Sequence, residues 1–257
     1  MPSRMKDLLR GGDLLRVFCT GRLFHPVTID LFALAGGYHG FWIDQEHAGL
    51  TTHDITLAAL AGRANHFGTF VRMAPTGYAA VTQALECGVD GVMAAQISSA
   101  DEAERFVRWA KFAPRGTRGL NTQGADAGYT TKPPGQFASD ANRDNFVAMQ
   151  IETAGALDEV ERIAAIDDVD LLFVGPNDLS QALGVIGQPT HEKVWQAIEH
   201  IAAACRQHGK PWGIVPPDPP AAERCVKLGC RMLTCGNDVA ALRLGVQAIK
   251  ANFRASF

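Results

Sequence analysis

Eight short runs of apolar, β-branched and aromatic residues recur along the chain, and this recurrence limits the fold more than any other feature. They are "LLRVFCT" (14–20), "GFWID" (40–44), "TFVRM" (69–73), "GVMAAQI" (91–97), "FVAMQIE" (146–152), "LLFVG" (171–175), "PWGIVP" (211–216) and "CRMLTCG" (230–236). Such runs have no wet face, so each predicts a strand buried on both sides, as in a parallel sheet covered by helices. The helical stretches between them include "TTHDITLAALAGRAN", "YAAVTQALECG", "SADEAERFVRWAKFA", "AGALDEVERIAAI", "THEKVWQAIEHIAAACRQHG", "DPPAAERCVKLG" and "DVAALRLGVQAIKANF". Ser98 or Ser99 is suited to cap a helix start, and Gly88, Gly209 and Gly229 to follow helix ends. Eight such units predict an α/β fold, a (β/α)8 TIM barrel, as a single domain over 1–257. A doubly wound sheet competes, but its glycine fingerprint is missing after the first strand.

One segment breaks the rhythm. Residues 114–145, "PRGTRGLNTQGADAGYTTKPPGQFASDANRDN", form a long Gly-, Pro-, Thr- and Asn-rich stretch, expected to be a functional loop or disordered.

Composition excludes several partners. The net charge of −3 offers no basic footprint for nucleic acid. No apolar run approaches the roughly 20 residues a membrane helix needs, and Asp7 and Asp13 interrupt any signal-peptide core. The expected location is cytoplasmic. Six cysteines without CxxC or zinc spacing then read as reduced thiols.

In a barrel the reactive face lies where the strands end. Strand two arrives at Asp44, Gln45, Glu46 and His47; strand three delivers Arg72, strand four Gln96, strand five Gln150 and Glu152. Strand six opens onto "GPNDLS", with Asn177, Asp178 and Ser180. Glu152 and Asp178 either cap the helices that follow or hold a hard divalent cation, which takes carboxylates and leaves positions for water and substrate oxygens. His47 is suited to acid–base work near neutral pH. Arg72 can hold a carboxylate or an oxyanion. Together these groups point to a metal-assisted enzyme acting on a small, oxygen-rich anion.

The motifs "FWIDQEHAGL", "FVRM", "PRGTRGLN", "MQIET" and "LLFVGPNDLSQALG" resemble the HpcH/HpaI family of class II pyruvate aldolases, in order and over nearly the whole chain. The resemblance implies Mg2+, Mn2+ or Co2+ as cofactor and a homo-oligomer, a hexamer arranged as a trimer of dimers. It implies Glu152 and Asp178 as metal ligands, Arg72 on the pyruvyl carbonyl oxygen and His47 as the catalytic histidine. Gln150, Asp44, Gly175, Pro176 and Asn177 are expected to contact substrate or support the metal, and the long loop to help close the site between subunits. Glu86 of "LECG" stands where the family has an aspartate paired with the histidine, and is expected to orient His47. Strand four reads Met93-Ala94-Ala95-Gln96 where the family has "VP", and "TCGND" replaces a "GSD" pattern.

The implied reaction cleaves a 4-hydroxy-2-oxo acid to pyruvate or hydroxypyruvate and an aldehyde, and runs in reverse. No lysine ends a candidate strand, which argues against Schiff-base chemistry. Two alternatives stand beside it. A citramalyl- or malyl-CoA-type lyase would need a nucleotide site, for which Arg115 and Arg118 are the available cations. A metabolite-binding barrel without catalysis would rest on Glu86 and the Ala94-Ala95 pair.

Overall fold

The computed structural model describes residues 5–256. Its eight strands are β1 (Leu15–Thr20), β2 (Gly40–Asp44), β3 (Gly68–Met73), β4 (Gly91–Ala94), β5 (Phe146–Ile151), β6 (Leu171–Val174), β7 (Trp212–Ile214) and β8 (Met232–Asn237). All are parallel, each pairs with the next, and β8 closes on β1. The (β/α)8 TIM barrel read from the alternation is the fold found. The closing pair shifts register between Val17 and Cys19, so the ladder is irregular where β1 reaches the open end.

The helices are α1 (Met5–Arg10), α2 (Pro26–Ala35), α3 (Thr52–Ala64), α4 (Tyr78–Glu86), α5 (Ala100–Ala110), α6 (Pro134–Asp144), α7 (Ala154–Asp158), α8 (Val160–Ala164), α9 (Pro176–Ala182), α10 (Glu192–Gln207), α11 (Pro219–Lys227) and α12 (Asp238–Asn252). Their ends follow local chemistry. Thr51 and Asp54 form a reciprocal capping box at α3, and Ser99 accepts the amide of Glu102 at α5. Ring nitrogens of His25 and His191 accept the amides of Val27 and Lys193, starting α2 and α10. Gly88, Gly209 and Gly229 take φ of 88°, 63° and 91° after α4, α10 and α11, the left-handed stop expected of them.

Inside the barrel, Leu15, Val17, Trp42, Phe70, Met93, Phe146, Phe173 and Met232 fill the bore. Met5 and Leu9 of α1 join them, with the Met5 sulfur against Gly40 and Gly68 at the starts of β2 and β3. One end is therefore plugged, and the C-terminal end is left for chemistry. A second cluster, including Phe41, Ile43, Val71, Val92, Phe106 and Ile198, lies between strands and helices. Each such Leu- or Phe-sized side chain contributes about 1.5–3 kcal/mol when fully buried.

Several elements depart from the sequence reading or add to it. The stretch 114–145 is not a structureless loop: it contains α6, whose Phe137 and Ala141 pack with Phe112 and Ala127 into a small core. Helix α2 occupies a stretch absent from the expected helices. The helix expected over "AGALDEVERIAAI" is two short ones, broken at Glu159 with φ −105° and ψ 15°. Helix α12 forms, but every residue from Ala241 to Ser256 is exposed, including Leu242, Leu244, Val246, Ile249 and Phe253. It buries no stripe on this chain's barrel. Among the described residues no helix is long and apolar enough to cross a membrane.

Candidate active site

Parallel register sets the first contact. Asp44, the last residue of β2, lies opposite Arg72 of β3. Its Oδ1 accepts from Arg72 Nε at 3.2 Å and its Oδ2 from Nη2 at 2.9 Å, a two-pronged charge-assisted fork. Glu46 adds a second carboxylate, with Oε2 2.9 Å from Arg72 Nη1. The guanidinium carbon sits 4.6 Å from the centre of the Trp42 ring, so the cation is stacked as well as paired. A guanidinium carries five N–H groups, more than these three contacts engage, so donors remain for a substrate oxygen.

Asp44 also shapes the turn beyond β2. Its Oδ1 accepts the backbone N–H of Glu46 at 3.1 Å and of His47 at 3.4 Å. The His47 side chain is 61% exposed, with Nε2 3.8 Å from Glu46 Oε2. Glu86 is the residue expected to orient His47. Glu86 ends α4 on the outer wall and lines a separate depression with Thr52, Gln83, Asn121 and Gln123. Helix α4 carries it toward α3 and the 121–125 segment, so within this chain the acid beside His47 is Glu46.

Glu152 follows β5 and is only 1% exposed. Its Oε1 accepts the amide of Gln96 at 2.8 Å, and its Oε2 accepts from Gln150 Nε2. Gln96 presents that amide from a left-handed backbone, φ 53°, rare for a residue with a side chain. Burial chiefly pushes the Glu152 carboxyl up to about 7; the Gln96 amide opposes this, while Asp178 and Glu46 add like charge and Arg72 partly offsets it. Neither carboxylate is a helix cap. Thr153 caps α7, and α9 starts at Gly175 without a side-chain cap, leaving Asp178 in its first turn. Ser180 is fully buried: its Oγ donates to Asn177 O and accepts from Gly187 N, a structural role.

These groups surround one cavity of about 360 Å3 at the C-terminal end. His47, Arg72, Asp44, Gln150, Gly175, Pro176, Asn177 and Asp178 line it, with Glu152 directly behind Gly175 and Gln150. The pattern missed Trp42, Thr234, Arg22 and Asp238, which also line it. Arg22 had a signal, since it closely follows the first strand in "FCTGR"; Asp238 had none beyond "CGND". Cys19 lines the wall too, but burial first, and then Asp44, raise its thiol to about 12, so it is no thiolate at neutral pH.

Three features fit a hard cation beside Glu152. A Cβ at residue 175 would stand 2.2 Å from Glu152 Oε2, so glycine alone leaves the carboxylate its place. Two further carboxylates, Asp178 and Glu46, raise its pKa by their charge, a repulsion that a cation relieves. Gln150 Oε1 is buried and unpartnered. Among the described residues no group of three or more His, Cys, Asp or Glu forms a metal cluster. Two carboxylates, Glu152 and Asp178, are what a Mg2+-type site uses when water and substrate complete it. Trp42 Nε1 and Thr234 Oγ1 are likewise buried and unpartnered in the cavity wall, as expected of a pocket for a polar ligand.

Fold and site together define a (β/α)8 barrel with an acidic, arginine-bearing centre at its C-terminal mouth. The chain belongs to the HpcH/HpaI aldolase/citrate lyase family, whose model matches residues 25–243. It is 31% identical over 255 residues to the 5-keto-4-deoxy-D-glucarate aldolase of Salmonella newport (strain SL254), covering 98% of this chain and 97% of that one. Among solved structures, an HpcH/HpaI aldolase/citrate lyase family protein from Burkholderia cenocepacia J2315 superposes with a TM-score of 0.88 at 33% identity, over 96% of this chain and 98% of that one. The HpcH/HpaI aldolase of Desulfitobacterium hafniense DCB-2 gives 0.88 at 29%, over 96% and 97%. The chain is thus an enzyme of an aldolase and lyase family.

Proposed function

We propose that this chain is a divalent-metal-dependent aldolase that cleaves 4-hydroxy-2-oxo acids to pyruvate, or hydroxypyruvate, and an aldehyde, and joins them in reverse. The observation that carries this is Glu152: a buried carboxylate, raised to about 7 and seated against Gly175, one bond away from an arginine-bearing cavity through Gln150. The keto-deoxy sugar acid in the Salmonella relative's name belongs to the same class of oxygen-rich anions.

Glu152 and Asp178 would hold Mg2+, Mn2+ or Co2+, which when bound supplies Lewis-acid polarisation of the 2-oxo oxygen. As the C3–C4 bond breaks, its electron pair moves onto that oxygen as an enolate, and the free N–H groups of Arg72 stabilise the charge. Asp44, Glu46 and Trp42 fix the guanidinium beforehand, so little reorganisation is needed at the moment of reaction. His47, at the exposed rim, takes the C4 hydroxyl proton directly or through one water, and Glu46 stabilises the imidazolium that results. Protonation at C3 then gives the methyl group of pyruvate.

Arg115 is tied to Glu104 and Asp168, and Arg118 is buried against Asp126. The CoA-type reading therefore loses the cations it rested on. A homo-oligomer, a hexamer by the family resemblance, is also part of the proposal; the exposed apolar length of α12 supports association. A cytoplasmic location, expected from the sequence, is also part of the proposal.

The test is exchange of solvent deuterium into the methyl group of pyruvate, followed by loss of its proton NMR signal. Exchange is expected with Mg2+, Mn2+ or Co2+ and not with excess chelator. Absence of exchange in the metal-supplemented protein overturns the reading.

A further inference from the structure

Arg22 stands at the cavity mouth, in the turn between β1 and α2, and is exposed. Among the described residues no ion pair or hydrogen bond engages its guanidinium, whereas Arg72, the other lining arginine, is held by Asp44 and Glu46. An unpaired surface arginine is ordinarily unremarked. This one sits on a turn that the fold fixes from the far end of the chain. Asp238 Oδ2 accepts the amides of both Gly21 and Leu23, each at 2.8 Å, and so grips the backbone on either side of residue 22. Asp238 is itself buried, and its Oδ1 accepts its own neighbour's amide, Val239 N, at 2.8 Å. Gly21 is also tight against the barrel, since a Cβ there would stand 3.0 Å from Ala48 Cβ and 3.2 Å from Asp44 Cβ.

The pyruvyl half of a substrate is accounted for by Arg72, Gln150, Glu152 and Asp178, from β3, β5 and the start of α9. The remaining mouth is walled by β1 and β8, and Arg22 is the cation there. We propose that Arg22 is a specificity-determining residue that pairs with a carboxylate on the aldehyde half of the substrate, so that the preferred 4-hydroxy-2-oxo acid is a diacid. Asp238 acts as its positioning residue. This rests on the aldolase reading for which half of the substrate lies where. A single planar guanidinium matches a carboxylate by a two-pronged fork. No second free cation lines the mouth among the described residues, as a phosphate dianion would favour.

The experiment compares binding of 2-oxoglutarate and 2-oxovalerate, which share a 2-oxo acid head and differ by a carboxylate in place of the terminal methyl. Calorimetric titration of the Mg2+-supplemented protein reads the affinity ratio without turnover. The wild-type chain is expected to favour 2-oxoglutarate, and Arg22→Gln to lower that preference by about tenfold or more, the size of one charge-assisted contact. Arg22→Lys should recover part of it. An unchanged ratio in Arg22→Gln, or no preference in the wild type, overturns the proposal. The deuterium exchange of pyruvate is read separately. If exchange fails while the Arg22-dependent ratio persists, the aldolase reading falls and the recognition of a carboxylate by Arg22 stands.

Discussion

At the scale of single residues, Glu152 is a buried carboxylate whose surroundings favour its neutral form. Its folded pKa of about 7 lies above the ordinary 4.5, so in the metal-free protein its favourable contribution is complete below pH 4.5 and is lost as pH rises through 7. The penalty at pH 8 is on the order of 3 kcal/mol, and Glu152→Gln, which keeps the shape and removes the charge, should raise the Tm of the metal-free chain there. A cation must displace the same proton. Metal affinity measured by titration should therefore climb about tenfold per pH unit up to roughly 7 and flatten above it. A flat profile from pH 5.5 to 8 would remove Glu152 from the ligand set. The place of these carboxylates was legible in the sequence, because "QIE" and "GPND" put them at predicted strand ends, where a barrel keeps its open face. The partner of His47 was not legible. Matching Glu86 to a family position carries a residue type but not its place in space, and in this chain Glu86 lines a depression with Thr52 and Gln123.

At the scale of elements, the strands were easier to read than the connections. A strand buried on both faces leaves a continuous apolar run, and all eight runs became strands with ends shifted by a few residues. Helix α2, "PVTIDLFALA", carries exposed Val27, Leu31 and Leu34 beside buried Ile29, so its apolar residues form no single stripe and periodicity has nothing to report. Helix α6 hides inside a Gly- and Pro-rich stretch, yet it begins at Pro134, a good first helical residue, and its buried Phe137 and Ala141 are four apart. The junction of β6 and α9 gives a sharper test. Gly175→Ala places a methyl 2.2 Å from Glu152 Oε2, in the space the carboxylate uses. The expected result is a folded barrel by circular dichroism whose metal affinity falls at least tenfold, since the ligand is displaced rather than removed. Wild-type affinity in Gly175→Ala would show that the carboxylate has room to move.

At the scale of the whole molecule, α12 is the element that the barrel does not use. Leu242, Val246, Ile249 and Phe253 are exposed along it, and α2 leaves Val27, Leu31 and Leu34 exposed as well. Apolar surface on this scale supports the proposed association of copies. Leu242→Glu with Ile249→Glu should shift the chain toward monomer in light scattering coupled to gel filtration. The wild-type Tm should rise with protein concentration, as for any fold stabilised by association. A wild-type chain that stays monomeric at high concentration would rule this out.

The carboxylate of Asp238 joins these scales. It is the first residue of α12 and also the clamp on the turn that carries Arg22. Whatever settles α12 against another copy therefore acts on the same backbone that presents the guanidinium to the cavity. If copies associate through α12 and Arg22 holds a diacid, as proposed, the two equilibria meet at this clamp, and reciprocity makes each shift the other by the same factor. Dilution should loosen the hold on the diacid, and the diacid should in turn hold the copies together.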